Sequence, residues 1–231
     1  ETWGANLVRG IEYGRVDAPV NPGVFPNRDN CRIFSAVSGD DRVAVLERCE
    51  ADRGYRLSVF STNFDSEEQL EEWGSELITE TSTGAPPVVL GVNQTSVTVY
   101  DGGADATAPD ATPTIRVFSP EIVQRAGRAV AGSAEPPADS RPINSQRVIT
   151  YFTGDATVVI NADTGDPVFQ ISEAIGPGEL GTGLLVPVPD AVSVRDPANG
   201  KEIRRIPVDR GDYAGVVSLR VIGDVVVEQR G

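Results

Sequence analysis

Short apolar or alternating runs, cut by turns rich in Gly, Asp, Asn and Pro, recur through most of the chain and predict strands rather than helices. The clearest copy lies at 147–171. Residues 148–153 are apolar, β-branched and aromatic, Gly154-Asp155 supply a two-residue turn that tolerates positive φ, and 157–160 return as a second strand. Asn161, Asp163, Thr164 and Gly165 then make a turn from side chains that bond their own backbone, and 168–171 leave it as a third strand. The same order returns at 184–188 and 191–195, turning at Pro189-Asp190, with Asp196 to Ile203 as the side-chain turn and third strand. The last strands, 216–222 and 225–228, turn at Gly223-Asp224.

Earlier in the chain the pattern is looser. Residues 31–37 and 43–49 flank a turn at 38–42, with 56–60 as third strand, and 88–92 and 96–100 flank Asn93-Gln94-Thr95, with 115–118 as third strand. The turn centres of the last three hairpins lie about 35 residues apart, and five units of about 45 residues account for the length. Fixed-period repetition of three- to four-stranded units predicts an all-β fold over 1–231, a single five-bladed β-propeller. Its last unit has only two strands, so the N-terminal segment at 7–16 is expected to close the ring. A β-sandwich is the competing architecture; it explains the strands but not the repeated order of hairpin, Asp-rich turn and third strand.

Several stretches interrupt this pattern. Residues 17–27 hold three prolines and read as an extended surface connection. At 65–78, Asp65 or Ser66 followed by Glu68 or Gln69 makes a capping signal, and Leu70, Trp73 and Leu77 share a helical face. One short helical insertion is expected there, with Trp73 anchoring it on the sheet. Residues 101–112 read as a loop, and 128–142, with Pro136-Pro137, as a linker of low hydrophobicity.

Counted outward from Asp40, Cys31 and Cys49 fall opposite each other on adjacent antiparallel strands, within disulfide reach. A cross-strand disulfide is expected. The other reading is a reduced pair in a cytosolic sheet; a redox-active pair lacks the C-x-x-C spacing and the helix N-terminus that such chemistry uses.

Charge changes the picture by exclusion. With 34 Asp+Glu against 20 Lys+Arg, the net charge is -14 and the pI about 4.4, which opposes binding to nucleic acid or anionic lipid. The absence of His removes the usual general base near neutral pH and the commonest zinc ligand. There is no Met, the chain begins at Glu1, and Lys201 is the only lysine. The expectation is therefore a piece of a longer product from a GC-rich genome, with any signal or membrane span upstream of Glu1.

The segment Val192-Ser-Val-Arg-Asp-Pro-Ala-Asn-Gly-Lys-Glu-Ile203 resembles the repeat of quinoprotein-like, WD40-like propellers, and 161–169 is a one-residue-shorter copy. The stretches at 2–6, 12–21, 45–49 and 206–210 resemble a family of actinobacterial membrane proteins that have one span followed by an extracytoplasmic domain. That family brings no activity with it. The resemblance implies an extracytoplasmic location on a single-pass anchor upstream of Glu1, and it agrees with a disulfide.

Other motifs carry less. Gly176-Pro-Gly178-Glu-Leu-Gly181 matches G-x-G-x-x-G but runs into a strand, not the helix that would face a pyrophosphate. Arg210-Gly211-Asp212 matches an adhesion tripeptide where a structural turn is due. Asn93-Gln94-Thr95 is a glycosylation sequon. Asp101, Asp105 and Asp110 could gather round calcium, but EF-hand spacing is absent. Glycoside hydrolysis needs two carboxyls at a set separation, and only Glu47 and Glu228 lie within strands. The function expected is a non-enzymatic interaction or scaffold domain of the cell envelope, without cofactor or metal, whose partner is another envelope protein. The alternative is a glycan, lipid or small-ligand binder, in which Trp3, Trp73, Tyr100 and Tyr151 would converge; a glycoside hydrolase ranks behind both.

Overall fold

The computed structural model describes residues 30–64, 70–82, 84–103, 112–145 and 147–230. Among these, eighteen strands form five antiparallel sheets laid down in chain order, and there is no helix. The first sheet is β1 (Cys31–Gly39), β2 (Arg42–Cys49), β3 (Arg56–Phe64) and β4 (Leu70–Leu77). The second is β5 (Val88–Val92), β6 (Val97–Asp101), β7 (Thr114–Phe118) and β8 (Gln124–Ala129), and the third β9 (Ile143–Asn144), β10 (Val148–Phe152), β11 (Thr157–Asn161) and β12 (Pro167–Ile171). The fourth is β13 (Glu179–Leu180), β14 (Leu184–Val188), β15 (Ala191–Arg195) and β16 (Glu202–Pro207). The fifth has two strands, β17 (Val217–Ile222) and β18 (Val225–Arg230).

The turns form for the reasons the sequence offers. Asn161 Oδ1 accepts from the Asp163 and Thr164 amides at 2.8 and 3.0 Å, and Asp196 Oδ1 accepts from the Ala198 amide at 2.8 Å. Each turn closes on a glycine at φ 75°, Gly165 and Gly200, a left-handed conformation that costs a side-chain-bearing residue energy. Cys31 and Cys49 are disulfide-bonded, but their register arises in an unexpected way. The turn is two residues, Asp40-Asp41, so Gly39 faces Arg42 and Ser35 faces Leu46. A bulge between Ile33 and Ser35 then shifts the pairing by one and brings Cys31 opposite Cys49; without it Arg32 would face Cys49.

Two expectations fail locally. Residues 70–77 are a strand, not the predicted helix, while 65–69 lie outside the described residues. A capping signal is worth only about 1 kcal/mol, whereas pairing with β3 satisfies backbone groups along that strand's whole edge. Ser75 faces Ser58 with their hydroxyls 2.8 Å apart, and Trp73 still packs on the core, so its anchoring role stands although its element changes. The stretch predicted as linker from 128 instead begins inside β8, an exposed polar strand held by pairing to β7.

The five-bladed propeller is the larger correction. Consecutive sheets pack through four apolar seams. Leu46, Leu57 and Val59 meet Val89, Val97 and Val99; Leu90, Tyr100 and Ile115 meet Ile149, Tyr151 and Val158. Val148, Val159 and Ile171 meet Leu184 and Val186, and Leu185 and Val192 meet Val217 and Leu219. Among the described residues no seam joins the fifth sheet to the first, so the sheets form an open series rather than a closed ring. The strand expected at 7–16 to close it lies outside the described residues. Turn chemistry dictates the repetition of sheets, but closure depends on matching faces at the two ends of the series, and periodicity says nothing about those.

The Cys31–Cys49 bond spans 18 residues, and chain entropy gives a loop of that length about 3 kcal/mol of stabilisation. The double Cys31→Ser, Cys49→Ser variant is expected to lose roughly that amount in urea unfolding. A loss below about 1 kcal/mol would show that β1 is held by its packing instead.

Candidate functional site

The carboxylates weighed for chemistry are engaged in structure. Glu47 is fully buried in the first sheet and accepts from Ser58 Oγ at 3.0 Å. Asp101 pairs with Arg116 at 3.0 Å and accepts the Gly103 amide; Asp105 and Asp110, its proposed calcium partners, lie outside the described residues. On the fourth sheet Glu202 takes a 2.6 Å hydrogen bond from Ser193, which with Arg205 and Arg195 holds its carboxyl below the usual range. Glu173 bridges Arg195 and Arg205. A cluster of Cys31, Glu47 and Cys49 has metal-like proximity, but the two sulfurs are bonded to each other and offer no thiolate.

Three sequence motifs resolve into seam contacts. The Arg210 side chain is 1% exposed; its guanidinium meets Glu228 at 2.6 Å and donates to the Val188 and Ala191 carbonyls, tying the fourth sheet to the fifth. An adhesion role is thereby removed, since the arginine is not presented to solvent. In the G-x-G-x-x-G stretch, the Gly176 and Gly178 carbonyls accept from Thr157 and Thr150 hydroxyls of the third sheet at 2.6 and 2.5 Å. A Cβ on Gly176 would lie 1.8 Å from the Val217 carbonyl oxygen, so the glycine is there for close approach, not for a nucleotide. Asn93, the sequon residue, donates its amide to the Ala162 and Asp163 carbonyls at 2.7 and 3.0 Å and joins the second sheet to the third.

Among the described aromatic residues named for ligand binding, only Tyr100 and Tyr151 meet: their rings lie 5.3 Å apart, tilted at 50°, both fully buried, and burial pushes the Tyr151 hydroxyl up to about 12. Trp73 lies under the Arg42 guanidinium at 4.0 Å, between the first two sheets, and Trp3 is outside the described residues.

Two surface features stand out. The first is the free end of the series. β11 and β15, the third strands of their sheets, are almost wholly buried, each covered by a fourth strand and by packing. β18 occupies the corresponding place after β17, and among the described residues it has no fourth strand beside it, although it opens with three valines. Ile222, Val225, Val226 and Val227 are 67%, 60%, 39% and 44% exposed. The second is a cleft of about 550 Å³ where the first three sheets meet. The signal for the first was present in the sequence as a two-stranded last unit. The second assembles prolines from segments far apart in the chain, and no local pattern announces it.

No protein-family model matches the chain, and no curated protein matches it either.

Glu228 links the seam to pH. Burial pushes its carboxyl up, but hydrogen bonds from Arg210 and Arg230 outweigh burial and hold it below the usual carboxylate range. A carboxyl with a depressed folded-state pKa contributes stability that is full above its unfolded value, about 4.3, and lost as pH falls through the folded one. Arg210→Ala, which leaves Glu228 to Arg230 alone and the Val188 and Ala191 carbonyls without this donor, is expected to cost about 1–3 kcal/mol at pH 7. Glu228→Gln should flatten the loss of stability below about pH 4.5. Both are read from urea midpoints across pH; an unchanged acid limb in Glu228→Gln would show that other carboxylates carry it.

Proposed function

We propose that the chain is a non-enzymatic interaction domain on the outer side of a cell membrane, and that it holds an envelope protein at its fifth sheet. One observation carries this reading: among the described residues β18 has no partner but β17, and it shows a row of exposed valines at the place where the third and fourth sheets each add a fourth strand. Such an edge accepts an extended segment through main-chain hydrogen bonds, with alternate side chains covering the apolar row. Left open, it is a hazard for aggregation, which favours a partner over solvent as its usual neighbour.

The setting is supported by chemistry. Disulfides persist in oxidising compartments outside the cytoplasm, and the Cys31–Cys49 bond suits that environment. The resemblance to single-pass actinobacterial membrane proteins supports an anchor upstream of Glu1. The non-enzymatic part rests on the absence of His from the sequence and on Glu47, Glu202 and Glu228 being engaged with serines and arginines.

A photo-crosslinking amino acid at Val226, in whole cells expressing the protein with its native flanking sequence, is expected to give a discrete adduct with another protein. The same probe at exposed Lys201 should give none. Adducts at neither position, or equally at both, would overturn the proposal. Val226→Lys should abolish adduct formation from a probe at 227 while changing stability by less than about 0.5 kcal/mol, as an exposed position allows.

A further inference from the structure

The cleft between the first three sheets has the construction of a binding site, independent of the fifth-sheet surface. Phe34 and Val37 of β1 form one wall, Pro86-Pro87 before β5 the next, and Pro136-Pro137 of the connection after β8 the third, with Tyr151 as the floor. Proline rings fix their backbone and present no N–H, so these walls are preformed and mixed, with apolar rings beside polar groups. Two of the polar groups inside are engaged within the protein. Ser35 Oγ accepts the Val89 amide at 3.0 Å, and Ser140 Oγ donates to the Phe152 carbonyl at 2.5 Å while standing beside the Tyr151 hydroxyl. A ligand entering this space finds these two serine hydroxyls already engaged. The volume, about 550 Å³, is that of a small-molecule site.

The rim differs in kind. Arg141 is exposed there, but its Nη1 donates to the Ala138 and Ser140 carbonyls at 2.6 and 3.1 Å, which holds the guanidinium in place. Among the described residues its Nε and Nη2 have no hydrogen-bond partner, and that edge of the fork fits a carboxylate. In a chain of net charge -14, a tethered cation at the mouth of the cleft is a local exception. Glu135 lines the same rim. Its carboxylate repels a dianionic head group, so the charge pattern favours a single negative charge.

We infer that this cleft binds a long-chain monocarboxylate, the acyl chain lying between the proline walls and the carboxylate meeting Arg141. The test is calorimetric titration of the protein with laurate, dodecanol and dodecyl phosphate below their aggregation thresholds. Laurate is expected to bind saturably at one site with a micromolar constant, more tightly than dodecyl phosphate. Arg141→Gln should weaken laurate about tenfold and leave dodecanol unchanged, because only the carboxylate uses the guanidinium. Ala138→Trp, which fills the cleft from an exposed wall position, should abolish binding of both, and Val226→Lys should change neither. The assignment is overturned by any of four results: no saturable laurate binding, laurate binding that survives Ala138→Trp, equal response of laurate and dodecanol to Arg141→Gln, or loss of binding in Val226→Lys. The last would place the amphiphile on the fifth sheet instead.

Discussion

Each of these sheets is too small to hide its own apolar side chains, and the whole structure depends on the next sheet doing so. A single sheet with an apolar face needs a second layer to bury it. Leu46 and Leu57 are fully buried only because β5 and β6 lie against them, and Leu184 and Val186 only because β10 and β11 do. Long polar side chains complete the same seams by satisfying carbonyls that strand pairing leaves open. Arg42 donates to Gln94 O at 2.5 Å and Arg116 to Ile78 O at 2.7 Å between the first and second sheets. Thr150 and Thr157 do so between the third and fourth, and Arg210 between the fourth and fifth. Apolar burial supplies the attraction and these bonds fix the setting, because a misplaced sheet would leave buried donors and carbonyls unpaired.

The two surfaces proposed for binding follow from where this arrangement stops or opens. The described residues contain no sheet beyond β18, and valines like those buried in β11 and β15 are exposed there. Where the first three sheets meet, the connections before β5 and after β8 are built of prolines that cannot pair, and the space they leave is the cleft. Both come from interrupting a repeated rule, and they differ in character because one interruption exposes a strand and the other exposes loops.

What could be read in the sequence was what is decided within about ten residues. The Asn161 and Asp196 turns, the glycines that end them, the hairpin strands of the last three sheets and β12 lie where pattern and turn chemistry put them, whereas the two-residue strands β9 and β13 carry no such signal and β16 runs on to Pro207. The opposition of Cys31 and Cys49 was legible too, though through a bulge that no alternation revealed. The helix expected at 65–78 failed because the unpaired edge of β3, not the local capping signal, determines the state of 70–77. β8 was missed because Gln-Arg-Ala-Gly-Arg-Ala shows no apolar alternation, being an edge strand that needs only backbone pairing. The open series was mistaken for a ring because repetition is local and closure is not. The cleft and the buried Arg210–Glu228 pair were invisible for the same reason, each joining segments that only the packed sheets bring together.

The seams are unequal, holding twelve, eight, six and four buried apolar residues from first to last among the described residues. Because every sheet is made from one continuous stretch and is packed chiefly on its neighbours in the chain, tension applied at the C-terminal end would meet the weakest seam first and the strongest, disulfide-bearing sheet last. Such an arrangement yields by peeling in steps, not by a single collapse, so a load borne at β18 could release the fifth sheet while the first three, with their cleft, stay assembled.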